Sequence, residues 1–154
     1  GHSPEHACLY NEDENVFICG DALLPRITPN VSVNPINPDA NPLESWIESL
    51  EKIKSVIPTD ALILPSHGYP YVGAHHRIDA IIENHFRKIE SVLEAITEPK
   101  NVTDLFSLLF KSEINEHTRV LAVGETMSHL NFLIGKGEIK KTIDQNGLYS
   151  FSKT

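Results

Sequence analysis

Apolar residues in this chain fall first into short runs and then into helical stripes. Ala7-Cys8-Leu9-Tyr10 and Val16-Phe17-Ile18-Cys19 are separated by the five polar residues Asn11-Glu12-Asp13-Glu14-Asn15, which predicts a hairpin. Downstream, Asn41-Pro42-Leu43-Glu44 offers a capping residue, a proline at the first helical position and a glutamate at the third. The helix predicted there carries Leu43, Trp46, Ile47, Leu50, Ile53 and Ile57 on one stripe, and Pro58 ends it. Ala61-Leu62-Ile63-Leu64 has no polar alternation, which predicts a strand buried on both faces. A longer helix over 75–96 has Ile78, Ile82, Phe86 (or His85), Ile89, Leu93 and Ile96 on its apolar side. Helix, buried strand and helix in succession predict an α/β layer.

The last third reads as helix, helix, hairpin. Thr103 can cap a helix over 104–111, and Val120, Val123, Met127, Leu130 and Ile134 recur at helical spacing through 118–135, where Gly135 and Gly137 stop the helix. Ile139–Ile143 and Leu148–Phe151 flank Asp144-Gln145-Asn146-Gly147, and Asn-Gly is a strong hairpin-turn signal. Helices followed by a β-wing are the order of a winged-helix module. Between these parts lies Pro25–Pro42, with five prolines and four asparagines in eighteen residues. That composition excludes a helix or a central strand and predicts a long irregular loop, a class that is often functional.

Composition narrows the class. With 154 residues and 40% hydrophobic positions, the chain can bury a core, and no apolar run approaches the length a membrane span needs. No basic segment followed by an apolar one opens it, so no secretory signal is expected. Two cysteines, Cys8 and Cys19, both inside apolar runs, read as buried free thiols, and a reducing, cytoplasmic setting is the simplest expectation. The net charge of −8 disfavours binding to nucleic acid, whose affinity comes largely from phosphate neutralisation. Charge is also uneven: residues 1–99 carry 6 basic and 15 acidic side chains, residues 100–154 carry 7 and 6. Together with Pro99 this places a boundary near residue 100. The expected organisation is 1–74 as one portion, 75–99 as a connecting helix and 100–154 as a winged-helix-like domain.

Three metal-ligand types border the apolar runs. His2 lies in Gly1-His2-Ser3-Pro4-Glu5-His6, Asp21 ends Phe17-Ile18-Cys19-Gly20-Asp21, and His67 ends Leu64-Pro65-Ser66-His67-Gly68. A carboxylate directly after a buried strand needs a cation or several hydrogen bonds, because leaving it buried and unpaired is expensive. Two strands ending in Asp and His point to one sheet edge, where α/β proteins build their sites. Imidazole with carboxylate suits zinc, iron or manganese better than calcium. Each residue alone has an ordinary reading, Asp21 as a loop cap and His67 as a turn histidine. His2 and His6 are not a helical zinc pair, because Pro4 stands between them. His75, His76, His85, His117 and His129 read as surface or core histidines satisfied by hydrogen bonds.

Taken in order, the three motifs resemble the last three metal motifs of metallo-β-lactamase-fold hydrolases. The step of 19 residues from His2 to Asp21 is similar to the glyoxalase-II-like branch, and the part after residue 75 resembles the winged-helix-like extension of some members. The resemblance implies an α/β fold: the C-terminal half of a metallo-β-lactamase-type αββα sandwich followed by a winged-helix-like α+β domain. It implies His2 as a ligand of one metal, His67 as a ligand of the second, Asp21 as the carboxylate bridging both, and His6 as an orienting neighbour. It implies two divalent ions, zinc first with iron or manganese as alternatives, and a bridging hydroxide that attacks a small-molecule ester, thioester, lactone or phosphodiester. Two departures stand out. Ser66 replaces the family's usual glycine, and no HxHxDH motif, which supplies four further ligands, occurs in the 154 residues.

The chain therefore reads as the C-terminal part of a longer hydrolase. Alone it is expected to bind metal weakly, to show no turnover, and to pair either with the N-terminal half of its fold or with a second copy of itself. A nucleic-acid-binding winged-helix regulator is the competing class, and a nuclease of the same fold is a third. The helix over 118–135 argues against the regulator, because beyond Arg119 and His129 it is mostly apolar or acidic, whereas a base reader needs several basic or amide side chains.

Overall fold

The computed structural model describes residues 2–154. The chain divides into two compact units. One takes the residues up to Asn30 together with Glu44–Asn84, and the other takes Val31–Leu43 and His85–Thr154. The division crosses the chain after Asn30, after Leu43 and after Asn84, the last two points inside helices, and the Pro99 region, where the charge balance changes, lies inside the second unit.

The first unit is built on a three-stranded sheet. Strands β1 (Leu9–Asn11) and β2 (Val16–Gly20) form the expected antiparallel hairpin, with Leu9 opposite Ile18 and Asn11 opposite Val16. Helix α1 (Pro42–Val56) leads to β3 (Leu62–Pro65), which runs parallel to β2. Parallel pairing needs such a crossover, and the proline at its first turn starts the helix without losing a needed N–H. Phe17, Cys19 and Ile63 point to one face and are buried, together with Trp46, Leu50, Ile57, Ile78 and Ile81. The other face behaves differently. Leu9, Ile18 and Leu62, which the pairing register places on one side, are 66%, 49% and 39% exposed. The strand over 62–65 is thus covered on one face among the described residues, where its sequence predicts two.

Helix α2 (Ala74–Ala95) is the long helix expected over 75–96. Its buried line runs Ala74, Ile78, Ile81, His85, Ile89, Val92 and Ile96, so Ile81 and Val92 replace the expected Ile82 and Leu93, and Phe86 is exposed. Both sets satisfy the i, i+3/i+4 spacing, and only packing chooses between neighbouring positions.

The second unit continues with a 3₁₀ turn (Val102–Leu105), the single turn α3 (Phe106–Leu109), helix α4 (Glu116–Gly135) and the hairpin of β4 (Ile139–Ile143) and β5 (Tyr149–Lys153). The order helix, helix, hairpin is as expected, but the first helix is shorter and its cap is Asn101, whose backbone N–H donates to Asp104, not Thr103. Asn115 caps α4, accepting from the N–H groups of His117 and Thr118, while Thr118 closes the capping box from the third position. Val120 is 72% exposed, contrary to its place in the apolar stripe. From Thr126 to Leu133 every residue is buried, so this part of α4 is enclosed on all sides and not amphipathic.

The Pro25–Pro42 segment has no helix or strand of its own before α1 begins, as expected. Its middle is a strap along α4: Val33 N–H donates to Gly124 O (3.0 Å), and Asn131 donates to Pro38 O and Ala40 O at 2.9 and 2.8 Å. Gly124 is required there, since a Cβ would come within 2.8 Å of the Ser32 side chain. Asn131 is buried on α4 because it replaces the hydrogen bonds that an irregular backbone cannot make to itself. Among the described residues no helix is long and apolar enough to cross a membrane.

The second unit also buries a histidine pair. His85 Nδ1 lies 3.4 Å from His129 Nε2, and His129 Nδ1 donates to the carbonyl of Glu125 at 2.8 Å. His129 Nε2 is therefore an acceptor, His85 Nδ1 is the donor, and His85 Nε2 is left without a partner among the described residues. Burial lowers the pKa of both rings; the neighbouring ring and Lys88 push His85 further down, while Glu125 partly offsets the effect at His129. Both histidines are thus neutral when folded and titrate normally when unfolded. Their contribution is intact above about pH 6.5 and is lost as pH falls below it. We expect His85→Leu to lose about 1–2 kcal/mol less stability than the natural chain between pH 7 and pH 5, measured by urea unfolding at each pH.

Candidate functional site

The site forms where β2 and β3 end. Their register holds from Val16 opposite Leu62 to Ile18 opposite Leu64, then slips so that Gly20 stands opposite Pro65. Ser66 N–H donates to Gly20 O (3.0 Å) beyond the slip, and Ala22 N–H donates to Cys19 O (2.9 Å), closing a tight turn around Gly20-Asp21. The two strand ends are thereby fixed side by side, each turning its next residue toward the same place.

Gly20 is dictated by this turn. Its φ is +52°, and a Cβ would stand 3.1–3.2 Å from the His6 ring. His6 leans over it because its Nε2–H donates to the carbonyl of Cys19 at 2.9 Å. Cys19 is fully buried beneath, and burial pushes its thiol up to about 11, so it stays protonated.

Asp21 lies between two imidazoles. His2 Nε2 is 3.3 Å from Oδ2, and His67 Nε2 is 3.6 Å from Oδ1. Ser66 Oγ donates to Oδ1 as well. That hydrogen bond, with smaller help from His67 and His2, holds the carboxyl below the usual range against the opposing effect of partial burial. Asp21 is ionised at neutral pH. His2 Nδ1 donates to the carbonyl of Asn30 at 2.8 Å, which leaves Nε2 as the ring nitrogen that faces a carboxylate oxygen. A proton or a metal ion between the two atoms satisfies both the imidazole nitrogen and the carboxylate oxygen. Bonds of about 2 Å around a tetrahedral ion separate ligand atoms by roughly 3.3 Å, close to the spacing of these pairs. An N–H donated to a backbone carbonyl is also how ligating histidines are held in orientation.

His2, Asp21 and His67 are thus brought together, with His6 beside them; the His2 and His6 rings are 6.4 Å apart. The convergence is pairwise, each imidazole on its own oxygen of Asp21, and among the described residues no group of three such side chains encloses an ion position by itself. His75 is satisfied elsewhere, donating to Ile57 O at 2.8 Å. Ser66 is the residue whose part the sequence reading misses, since it registers only as a departure from glycine. Its signal is a hydroxyl directly before His67 at a strand end neighbouring a strand that ends in Asp. We expect Gly20→Ala to destabilise the chain by about 1–2 kcal/mol, read from urea unfolding, because it combines an unfavourable φ with a close contact to His6.

The family profile described as Metallo-beta-lactamase superfamily matches residues 1–67, and that described as Metallo-beta-lactamase-like, C-terminal domain matches residues 89–154. Among solved structures, a beta-lactamase domain protein from Burkholderia ambifaria superposes over the whole chain with a TM-score of 0.94 and 36% identity, the chain covering 46% of it. A metallo-beta-lactamase family protein from Thermus thermophilus superposes over the whole chain at 0.83 with 26% identity, and 47% of it is covered. An atrochrysone carboxyl ACP thioesterase from Aspergillus fumigatus is 27% identical over 103 residues, which are 67% of this chain and 22% of that protein. The chain spans less than half the length of each of these relatives. With two profiles matching successive parts and the fold shared from end to end, the chain belongs to the metallo-β-lactamase superfamily.

Proposed function

We propose that this chain carries part of the metal centre of a hydrolase acting on a small-molecule ester, thioester or lactone. The superfamily implies a divalent metal cofactor. His2, Asp21 and His67 would hold it, with Asp21 shared between two ions. The observation that carries this reading is the convergence of the His2 and His67 imidazoles on the two carboxylate oxygens of an ionised Asp21. Zinc suits these donors best, and iron or manganese share the same ligand preference. A divalent ion bound there supplies Lewis acidity toward a carbonyl oxygen and lowers the pKa of water.

The chain's own side chains prepare the place. Ser66 keeps Asp21 ionised and fixes one of its oxygens. The Asn30 carbonyl holds His2 in the tautomer that a ligand needs, and His6 braces the turn that presents Asp21. A thioesterase among the relatives supports acyl chemistry. The remaining ligands would come from the N-terminal half of the fold or from a second copy of the chain, and the exposed apolar side of the sheet, with Leu9, Ile18 and Leu62, is a surface such a segment would cover. The acidic charge and the two free thiols accord with a cytoplasmic enzyme without nucleic-acid substrates.

Zinc titration of the chain, followed through its imidazole NMR signals, tests the ligand set. His2 and His67 should respond and His75 and His129 should not. Asp21→Asn should abolish the response, and Ser66→Ala should weaken it by about tenfold. Unmoved His2 and His67 signals would overturn the assignment. Light scattering tests the partner: the isolated chain should self-associate in a concentration-dependent way, and Ile18→Lys on the exposed face should reduce this. A monomer that holds two equivalents of zinc and cleaves a thioester would contradict the need for a further segment.

A further inference from the structure

Two loops of the first unit enclose an open cleft of about 520 Å³ next to His67, within the range of small-molecule sites. One wall is Pro25, Arg26 and Ile27; the other is His67, Tyr69 and Tyr71. Neither wall is a loose loop. Arg77 on α2 donates from Nε to Leu24 O (2.7 Å) and from its terminal nitrogen to Ile27 O (2.8 Å), holding the first wall at both ends. Tyr71 exchanges backbone hydrogen bonds with Ile63 and donates its hydroxyl to Leu23 O at 3.3 Å, fixing the second. Where the walls meet they are in tight contact: a Cβ on Gly68, whose φ is +88°, would stand 2.7 Å from Pro25 Cγ.

Inside this anchored frame the side chains are left open. Tyr69 is 85% exposed and Ile27 61%, an unusual outlay of apolar surface on braced backbone. Arg26 is exposed and makes no ion pair among the described residues, so the cleft offers one available cation beside aromatic and aliphatic surface. A guanidinium next to a tyrosine ring matches an anionic group carried on an apolar or aromatic body.

We infer that this cleft binds a non-reacting part of the substrate, and that its ligand is an aryl or similarly flat apolar group bearing a carboxylate, with Arg26 on the carboxylate and Tyr69 and Ile27 on the apolar body. The inference rests on the reading of His2, Asp21 and His67 as the reaction site, since His67 forms part of the cleft wall and would bring the bound group against it.

The test is an NMR titration of the isotope-labelled chain in EDTA, so that a carboxylate has no metal ion to seek. The probes are 2-naphthoate and its neutral counterpart 2-naphthylmethanol. Amide signals of Arg26, Ile27, Gly68, Tyr69 and Tyr71 should move, and the carboxylate should bind about fivefold tighter than the alcohol. Arg26→Gln should erase that difference without changing the alcohol, and Tyr69→Ala should weaken both probes by about fivefold. Both side chains are exposed, and retained spectral dispersion shows that the variants fold. Shifts confined to other residues, no shifts at millimolar probe, or a carboxylate preference that survives Arg26→Gln would overturn the inference. Naphthoate binding seen only after zinc is added would overturn it while supporting the metal centre. Cleft binding in a chain that ignores zinc would uphold the cleft and overturn the metal reading.

Discussion

The site exists because β2 pairs in parallel with β3 and because that pairing slips at its end. Three regular pairs fix the strands, and the irregularity between Ile18 and Gly20 lets each chain turn away at the same level. The hydrogen bond from Ser66 N–H to Gly20 O then locks the two exits together. Asp21 and His67 are 46 residues apart in the chain yet share one edge because of this pairing. Strands alone would leave the carboxylate free to rotate; the Ser66 hydroxyl and the His6 brace under the turn remove that freedom. A carboxylate held in advance costs little reorganisation when a cation arrives.

The same two exits shape the ground beside the site. The segment after Asp21 runs on through Leu23 and Leu24 to the wall held by Arg77, and the segment after His67 runs to Tyr71, which returns to pair with β3. Asp21, His67 and the cleft walls thus hang from the same strand ends. The second unit solves a different problem. Its long proline-rich strap cannot satisfy its own backbone, and α4 supplies the missing donors and acceptors through Asn131 and Gly124. Asn131 is buried on that helix for this reason.

Much of the molecule was legible in its sequence because short-range rules govern it. Pro42 and Pro58 bracket α1, Asn146-Gly147 marks the β4–β5 turn, and alternation between apolar runs and Asn/Asp clusters marks the first hairpin. The three motif residues His2, Asp21 and His67 were identifiable since each stands at the border of an apolar run. The cap at Asn101 and the choice of Ile81 over Ile82 were not, because several neighbouring residues satisfy the same local rule and packing decides among them.

The order of elements, the helix and turn boundaries set by proline and glycine, and the superfamily motifs all follow from residues within a few positions of one another, so the linear chain carries them. Other features arise only once the chain has folded: which face of β3 is covered, the enclosure of α4, and the control that Ser66 and the Asn30 carbonyl exert over Asp21 and His2. The last of these are contacts between residues 28 and 45 positions apart, and no periodicity or propensity encodes a partner at that range. Hydrogen bonds and burial are set by distance in space, which only the pairing of β2 with β3 and the turns beyond it establish.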